Sequence, residues 1–136
     1  MSVRIKYHLI PASILLLIGL LFLQTAFAQT SAWQWIKPQG GAANDYGKSV
    51  ARDKDGNIYV LGEYNGTITS GTTPHTSRGL NDILLLKYTA SGKLLWSKSM
   101  GSTGNDIASH LFVDSVGYVY IAGTFPGIDF NYGACV

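Results

Sequence analysis

Residues 35–62 read WIKPQGGAANDYGKSVARDKDGNIYVLG, and residues 96–123 read WSKSMGSTGNDIASHLFVDSVGYVYIAG. Laid over each other without a gap, the two stretches share one register at a spacing of 61 residues. Trp35, Lys37, Gly40, Asn44, Asp45, Asp53, Gly56, Tyr59 and Gly62 return as Trp96, Lys98, Gly101, Asn105, Asp106, Asp114, Gly117, Tyr120 and Gly123. A fixed period of this length marks one supersecondary unit that buries its apolar face only by stacking on copies of itself. The chain therefore divides into a first copy at 35–95 and a second, cut short, at 96–136.

Within the period the residues alternate as strands do. Ser49-Val50-Ala51-Arg52 and Ile58-Tyr59-Val60-Leu61 flank Asp53-Lys54-Asp55-Gly56-Asn57. In such a turn Gly supplies a positive φ, and Asp and Asn side chains bond the turn backbone. A second hairpin joins Asp82–Tyr88 to Lys93–Lys98 through Thr89-Ala90-Ser91-Gly92. Its run Ile83–Leu86 is apolar on both faces, as an interior strand between packed layers should be. Ser109–Val113 and Tyr118–Ala122 repeat the first hairpin. Thr67-Ile68-Thr69 reads either as a short strand or as part of a polar insertion over Gly66–Gly79. Two successive hairpins per period give an all-β chain of four-stranded antiparallel β-propeller blades. Fewer than two periods are present, against about 4 to 8 blades in a closed propeller. The expectation is an incomplete ring, completed by further blades in cis or by self-association. Trp33–Lys37 is read as the last strand of a preceding blade.

The first 28 residues read differently from the rest. Arg4 and Lys6 precede the apolar run Ile10–Leu23, and Ala26-Phe27-Ala28 places small residues before Gln29. This is the pattern of a signal peptide over 1–28, cleaved after Ala28, with residues 29–136 as the mature propeller segment. The expected location is secreted, cell-surface or periplasmic, with no membrane span after cleavage. The mature segment carries eight basic and eight acidic residues, a formal net charge of zero. Such a balance offers no electrostatic footprint for nucleic acid. Cys135 is the sole cysteine, so no intrachain disulfide forms. Ala134-Cys135-Val136 ends without a cap, as expected of a fragment.

Three blocks carry a resemblance: Gly40–Gly62, Asp82–Trp96 (DILLLKYTASGKLLW) and Gly101–Gly123. They resemble the seven-bladed β-propeller (SBBP) repeats of secreted and surface bacterial proteins. Gly127–Gly133 is similar to the inter-hairpin segment of related repeats. The second copy departs at Ser102, Val116 and Tyr118, where the first has Gly41, Asp55 and Asn57. The resemblance implies a fold and an extracellular setting, and no catalytic residues.

Each chemical motif has a structural counterpart. Asp53-x-Asp55-Gly56-Asn57 has the look of a Ca²⁺ loop, yet its second copy keeps only Asp114 of the three oxygen-bearing side chains, so a turn is expected. Asp45, Asp82 and Asp106 would suit general acids, but Asp repeated at Asp45 and Asp106 points to carboxylates that bond the backbone of inter-blade loops. Trp35 and Trp96 are expected to be packing ribs between blades. His75 and His110 share no ligand spacing with Cys135, and neither a metal nor another cofactor is expected. The structural set is thus Trp35, Asp45, Asp53, Gly56, Tyr59, Gly62, Asp82, Trp96, Asp106, Asp114, Gly117, Tyr120 and Gly123. Trp33, Tyr64, His75 and Arg78 are expected to form an exposed contact surface, with Tyr132 as a further aromatic and Gly66–Leu80 as the contact loop. The function expected is non-catalytic binding or scaffolding toward a protein or glycan. The alternative is a fragment of a quinoprotein-like or glycan-active propeller enzyme, suggested by the ending Gly92-Lys93-Leu94-Leu95-Trp96.

Overall fold

Alternating burial along each run builds six antiparallel strands in the computed structural model, which describes residues 32–126. They are β1 (Tyr46–Arg52), β2 (Ile58–Ser70), β3 (Thr73–Tyr88), β4 (Leu94–Met100), β5 (Ile107–Val113) and β6 (Val119–Thr124). All belong to the compact unit that begins at Trp33. The signal peptide expected over 1–28, Tyr132, Cys135 and the Gly127–Gly133 segment lie outside the described residues.

β1 to β4 form one four-stranded sheet in sequence order, and β5 and β6 form a second sheet of two strands. These are one whole blade and the first half of the next, as the repeat requires. The sheets are open, and no helix occurs among the described residues. In the whole blade, Tyr59, Leu61, Ile83 and Leu85 point to one face and meet Ala108, Leu111 and Val113 of β5, with Val119 and Ile121 of β6 packed beside them. Tyr64, Leu84, Leu86 and Tyr88 point to the opposite face. Ile83–Leu86 is consequently buried from both sides, which is why its apolar residues do not alternate with polar ones.

Two expectations need correction. Residues 66–80 are no polar loop: β2 runs on to Ser70 and β3 starts at Thr73, so the segment is a paired ribbon around Gly71-Thr72. Gly71 takes φ +63°, as the first central position of a tight hairpin turn favours. Thr67, Ile68 and Thr69 pair with Thr76, His75 and Pro74, which gives the segment a ladder that a free loop would lack. An irregularity between Asn65 and Thr67 bends the ribbon away from the sheet's plane. Trp33–Lys37 is not a strand either. Among the described residues no strand lies beside it to complete a ladder, and it is held instead through Trp35.

Candidate functional site

The turns after β1 and β5 are built around one carboxylate each. Asp53 Oδ1 accepts from the backbone N–H groups of Asp55 (3.1 Å) and Asn57 (2.8 Å). Its Oδ2 accepts from Asn57 Nδ2 (2.8 Å) and faces Lys87 Nζ at 3.2 Å. The Lys87 ammonium also lies 4.7 Å from the centre of the Tyr59 ring. Burial pushes the Asp53 carboxyl up, but the Asn57 bonds and the Lys87 charge outweigh it and hold the pKa at about 2. Asp114 repeats the design with the N–H groups of Val116 (2.9 Å), Gly117 (2.8 Å) and Tyr118 (2.9 Å). Slight burial raises its pKa, and those donors outweigh the rise and lower it. Gly56 (φ +87°) and Gly117 (φ +102°) occupy the turn position where a side chain would be strained.

At the other end of the blade, carboxylates close the connections between blades. Asp45 Oδ2 accepts from the Gly41 N–H at 2.6 Å. Asp106 Oδ2 accepts from the equivalent Ser102 N–H at 2.7 Å, and Ser102 Oγ donates to the same carboxylate. The connection 101–106 is fastened to the middle of β3: Leu80 N–H donates to Gly104 O (3.1 Å) and Asp106 N–H to Asn81 O (2.8 Å). Asp82 accepts from the Arg78 N–H at 3.2 Å. Burial raises its pKa, and the Asp106 charge adds to the rise. Asp82 and Asp106 are 1% and 0% exposed, so neither carboxyl reaches solvent or a substrate. Both accept hydrogen bonds from residues of their own connections.

Glu63 was not singled out by the sequence. It is 5% exposed, accepts the Ala108 N–H of β5 at 2.8 Å and pairs with Lys48 at 3.0 Å. One carboxylate thus ties β1, β2 and the next blade together. Its repeat partner is Thr124, so a search for shared residues passes over it.

The expected contact residues scatter. Trp33 is 87% exposed, while Tyr64 is 0% exposed and must be withdrawn from any surface. The Tyr64 ring packs with Ile68, Leu84, Leu86 and Tyr88, and its hydroxyl meets Ser99 Oγ at 2.5 Å, which satisfies the polar end inside. His75 is half-buried with Nε2 on Ser97 Oγ at 2.8 Å, and burial lowers its pKa. The Arg78 guanidinium donates to Gly101 O at 3.3 Å, so it serves the connection between blades. Some exposed aromatic and apolar residues lie at the turn end. Trp35 is anchored there by Nε1 on Ala90 O (3.0 Å), with Trp33 two residues before it, and Val116 (76% exposed) and Tyr118 (67%) occupy the β5–β6 turn. A shallow groove of about 380 Å³ opens at this end between Gln34, Trp35, Arg52, Gly56, Ile58 and Ala90.

Residues 34–68 match the family model of the SBBP β-propeller repeat. This stretch is an SBBP β-propeller repeat. The match covers Trp35, the Asp45 connection, β1, the Asp53 turn and most of β2. The repeat chain is similar to an uncharacterized WD repeat-containing protein of Acanthamoeba polyphaga mimivirus, with 30% identity over 72% of this chain and 8% of that protein. It is also similar to the regulatory protein FlaEY of Caulobacter vibrioides, with 34% identity over 62% of this chain and 9% of that protein. The chain therefore spans less than a tenth of the length of either curated relative. No solved structure matches it.

Proposed function

We propose that this chain is a secreted or surface propeller-repeat module that binds a protein or a glycan and catalyses no reaction. The observation that carries the reading is the use of the carboxylates. Asp45, Asp53, Asp106 and Asp114 each accept backbone N–H donors of their own turn or connection, and Glu63 bonds the next blade. Groups committed in this way build a scaffold, whereas a general acid must face its substrate. The turn end supplies the contact surface, with Trp33 and Tyr118 as exposed aromatic faces and the Arg52 groove at the same end. Flat aromatic faces suit both a sugar ring and the core of a protein interface. The likeness to a WD repeat-containing protein and to a regulatory protein supports binding as the role. The alternation of charge leaves nucleic acid outside the reading.

The test has two arms. Fractionation of expressing bacteria, followed by N-terminal sequencing, should find the product outside the cytoplasm and starting at Gln29. Binding of the purified chain to a glycan array and to an array of extracellular proteins should yield a ligand whose affinity falls about tenfold or more in Trp33→Ala. A cytoplasmic, uncleaved product would overturn the extracellular setting. A ligand whose binding ignores Trp33, Arg52 and Tyr118 alike would overturn the assignment of the turn end.

A further inference from the structure

The 61-residue translation identifies which face of a blade meets which neighbour. In the second blade, Leu111, Val113, Val119 and Ile121 pack on the first blade. Their counterparts in the first blade are Val50, Arg52, Ile58 and Val60, so the face bearing these is where a preceding blade would pack. That face is already occupied by the chain itself. The ribbon of residues 66–80 turns back across it: Ile68 is 3% exposed against Tyr64, Leu84 and Leu86, and Ser70 is 0% exposed. The ribbon reaches β4, where His75 Nε2 meets Ser97 Oγ at 2.8 Å, and a Cβ added at Gly71 would lie 3.1 Å from Leu94 Cδ2. Segment 35–41 runs beside it, with Trp35 against Tyr88 and Gln39 Nε2 donating to Thr69 O at 3.1 Å. The cover stops short of β1. Val50 is 67% exposed where its counterpart Leu111 is 8% exposed, and a small groove of about 100 Å³ remains beside Tyr46.

We infer that the 66–80 ribbon is a cap built in cis, which occupies the packing face of the first blade and excludes the outer face of β5–β6 of a second copy. That outer face carries Phe112 (62% exposed) and Tyr120 (55%), the counterparts of Ala51 and Tyr59, which sit at the existing junction. The same translation that seats the second blade on the first would seat one copy's Phe112–Tyr120 face on another copy's first blade. Such a head-to-tail contact does not close on itself and would propagate into open assemblies. The ribbon covers the face with Ile68 and Ser70 turned fully inward.

Two variants test the cap, with mean mass measured by light scattering over a concentration series. Removing residues 67–79 should leave the blade folded by circular dichroism and raise the mean mass about twofold or more at high concentration. Adding Phe112→Asp to that variant should return it to the mass of the unaltered chain. If the shortened chain does not fold, Ile68→Ala carries the decision. It should loosen hydrogen exchange over 67–76 and raise the mean mass in the same direction. A ribbon that is absent or loosened with no change in mean mass, or an increase that Phe112→Asp leaves untouched, would overturn the inference.

Discussion

The hairpins β1–β2 and β5–β6 share a sequence pattern and a turn, yet they live in different surroundings. In the first, Tyr59 is 2% exposed and packs edge-on against Trp96 at 5.8 Å, with Lys87 bridging its ring to Asp53. In the second, Tyr120 is 55% exposed, with the Phe112 ring beside it at 6.0 Å. Both tyrosine hydroxyls donate to their turn carboxylate, at 3.4 and 3.3 Å. The local geometry therefore comes from the hairpin alone, whereas burial comes from β3, β4 and β5 of the next blade. Of these, β3 and β4 bring Lys87 and Trp96, and the second hairpin has no such pair among the described residues.

The largest effect should separate the two tyrosines. Tyr59→Ala is expected to destabilise the chain by about 3–5 kcal/mol, as deletion of a buried aromatic ring does. Tyr120→Ala should change stability by less than about 1 kcal/mol. Urea unfolding of both variants decides it, and equal losses would break the distinction between the hairpins. Next comes the link between blades. Glu63→Ala leaves the Ala108 N–H without its acceptor and should cost about 1–3 kcal/mol. Hydrogen exchange should show β5–β6 losing protection before β1–β2, and Glu63→Gln, which retains an acceptor, should recover part of it.

A smaller difference is expected between the turn carboxylates. Asp53→Asn and Lys87→Met should show a coupling of about 0.5–2 kcal/mol in a double-mutant cycle, because the two groups share a buried contact. Asp114→Asn should show none with Lys87→Met. The smallest effect is the pH dependence of Asp53. Its folded pKa of about 2 lies below the ordinary carboxyl value near 3.9, so the unfolded chain binds the proton more tightly. The stabilisation is complete above about pH 4 and is lost as pH falls toward 2. Thermal unfolding from pH 5 to pH 2 should show a decline in Tm that is shallower in Asp53→Asn, by about 4 °C at the acid end.

Much of the fold could be read from single residues. Gly56 and Gly117 marked the turns, the alternation about them marked the strands, and the doubly apolar Ile83–Leu86 marked the inner strand. The 66–80 segment was misread because Thr, Ser and Gly dominate it and only Ile68 signals a buried side. Tyr64 was misread for a related reason. A tyrosine beside a polar stretch looks exposed until Ser99, 35 residues away, takes up its hydroxyl. Glu63 could not be found by comparing copies, since its partner Ala108 lies in the next blade and its own counterpart is Thr124.

The sequence alone determined the period, the strand pattern and the carboxylate-centred turns, because each depends on residues within a few positions of one another. Only the tertiary structure decided which face of a blade is covered and by what. Coverage depends on strands and a ribbon folded back from far along the chain, and no local pattern records where a bent ribbon will land. For that reason Asp53 and Asp114 look alike in sequence, while among the described residues it is Asp53 that pairs with a lysine from a distant strand.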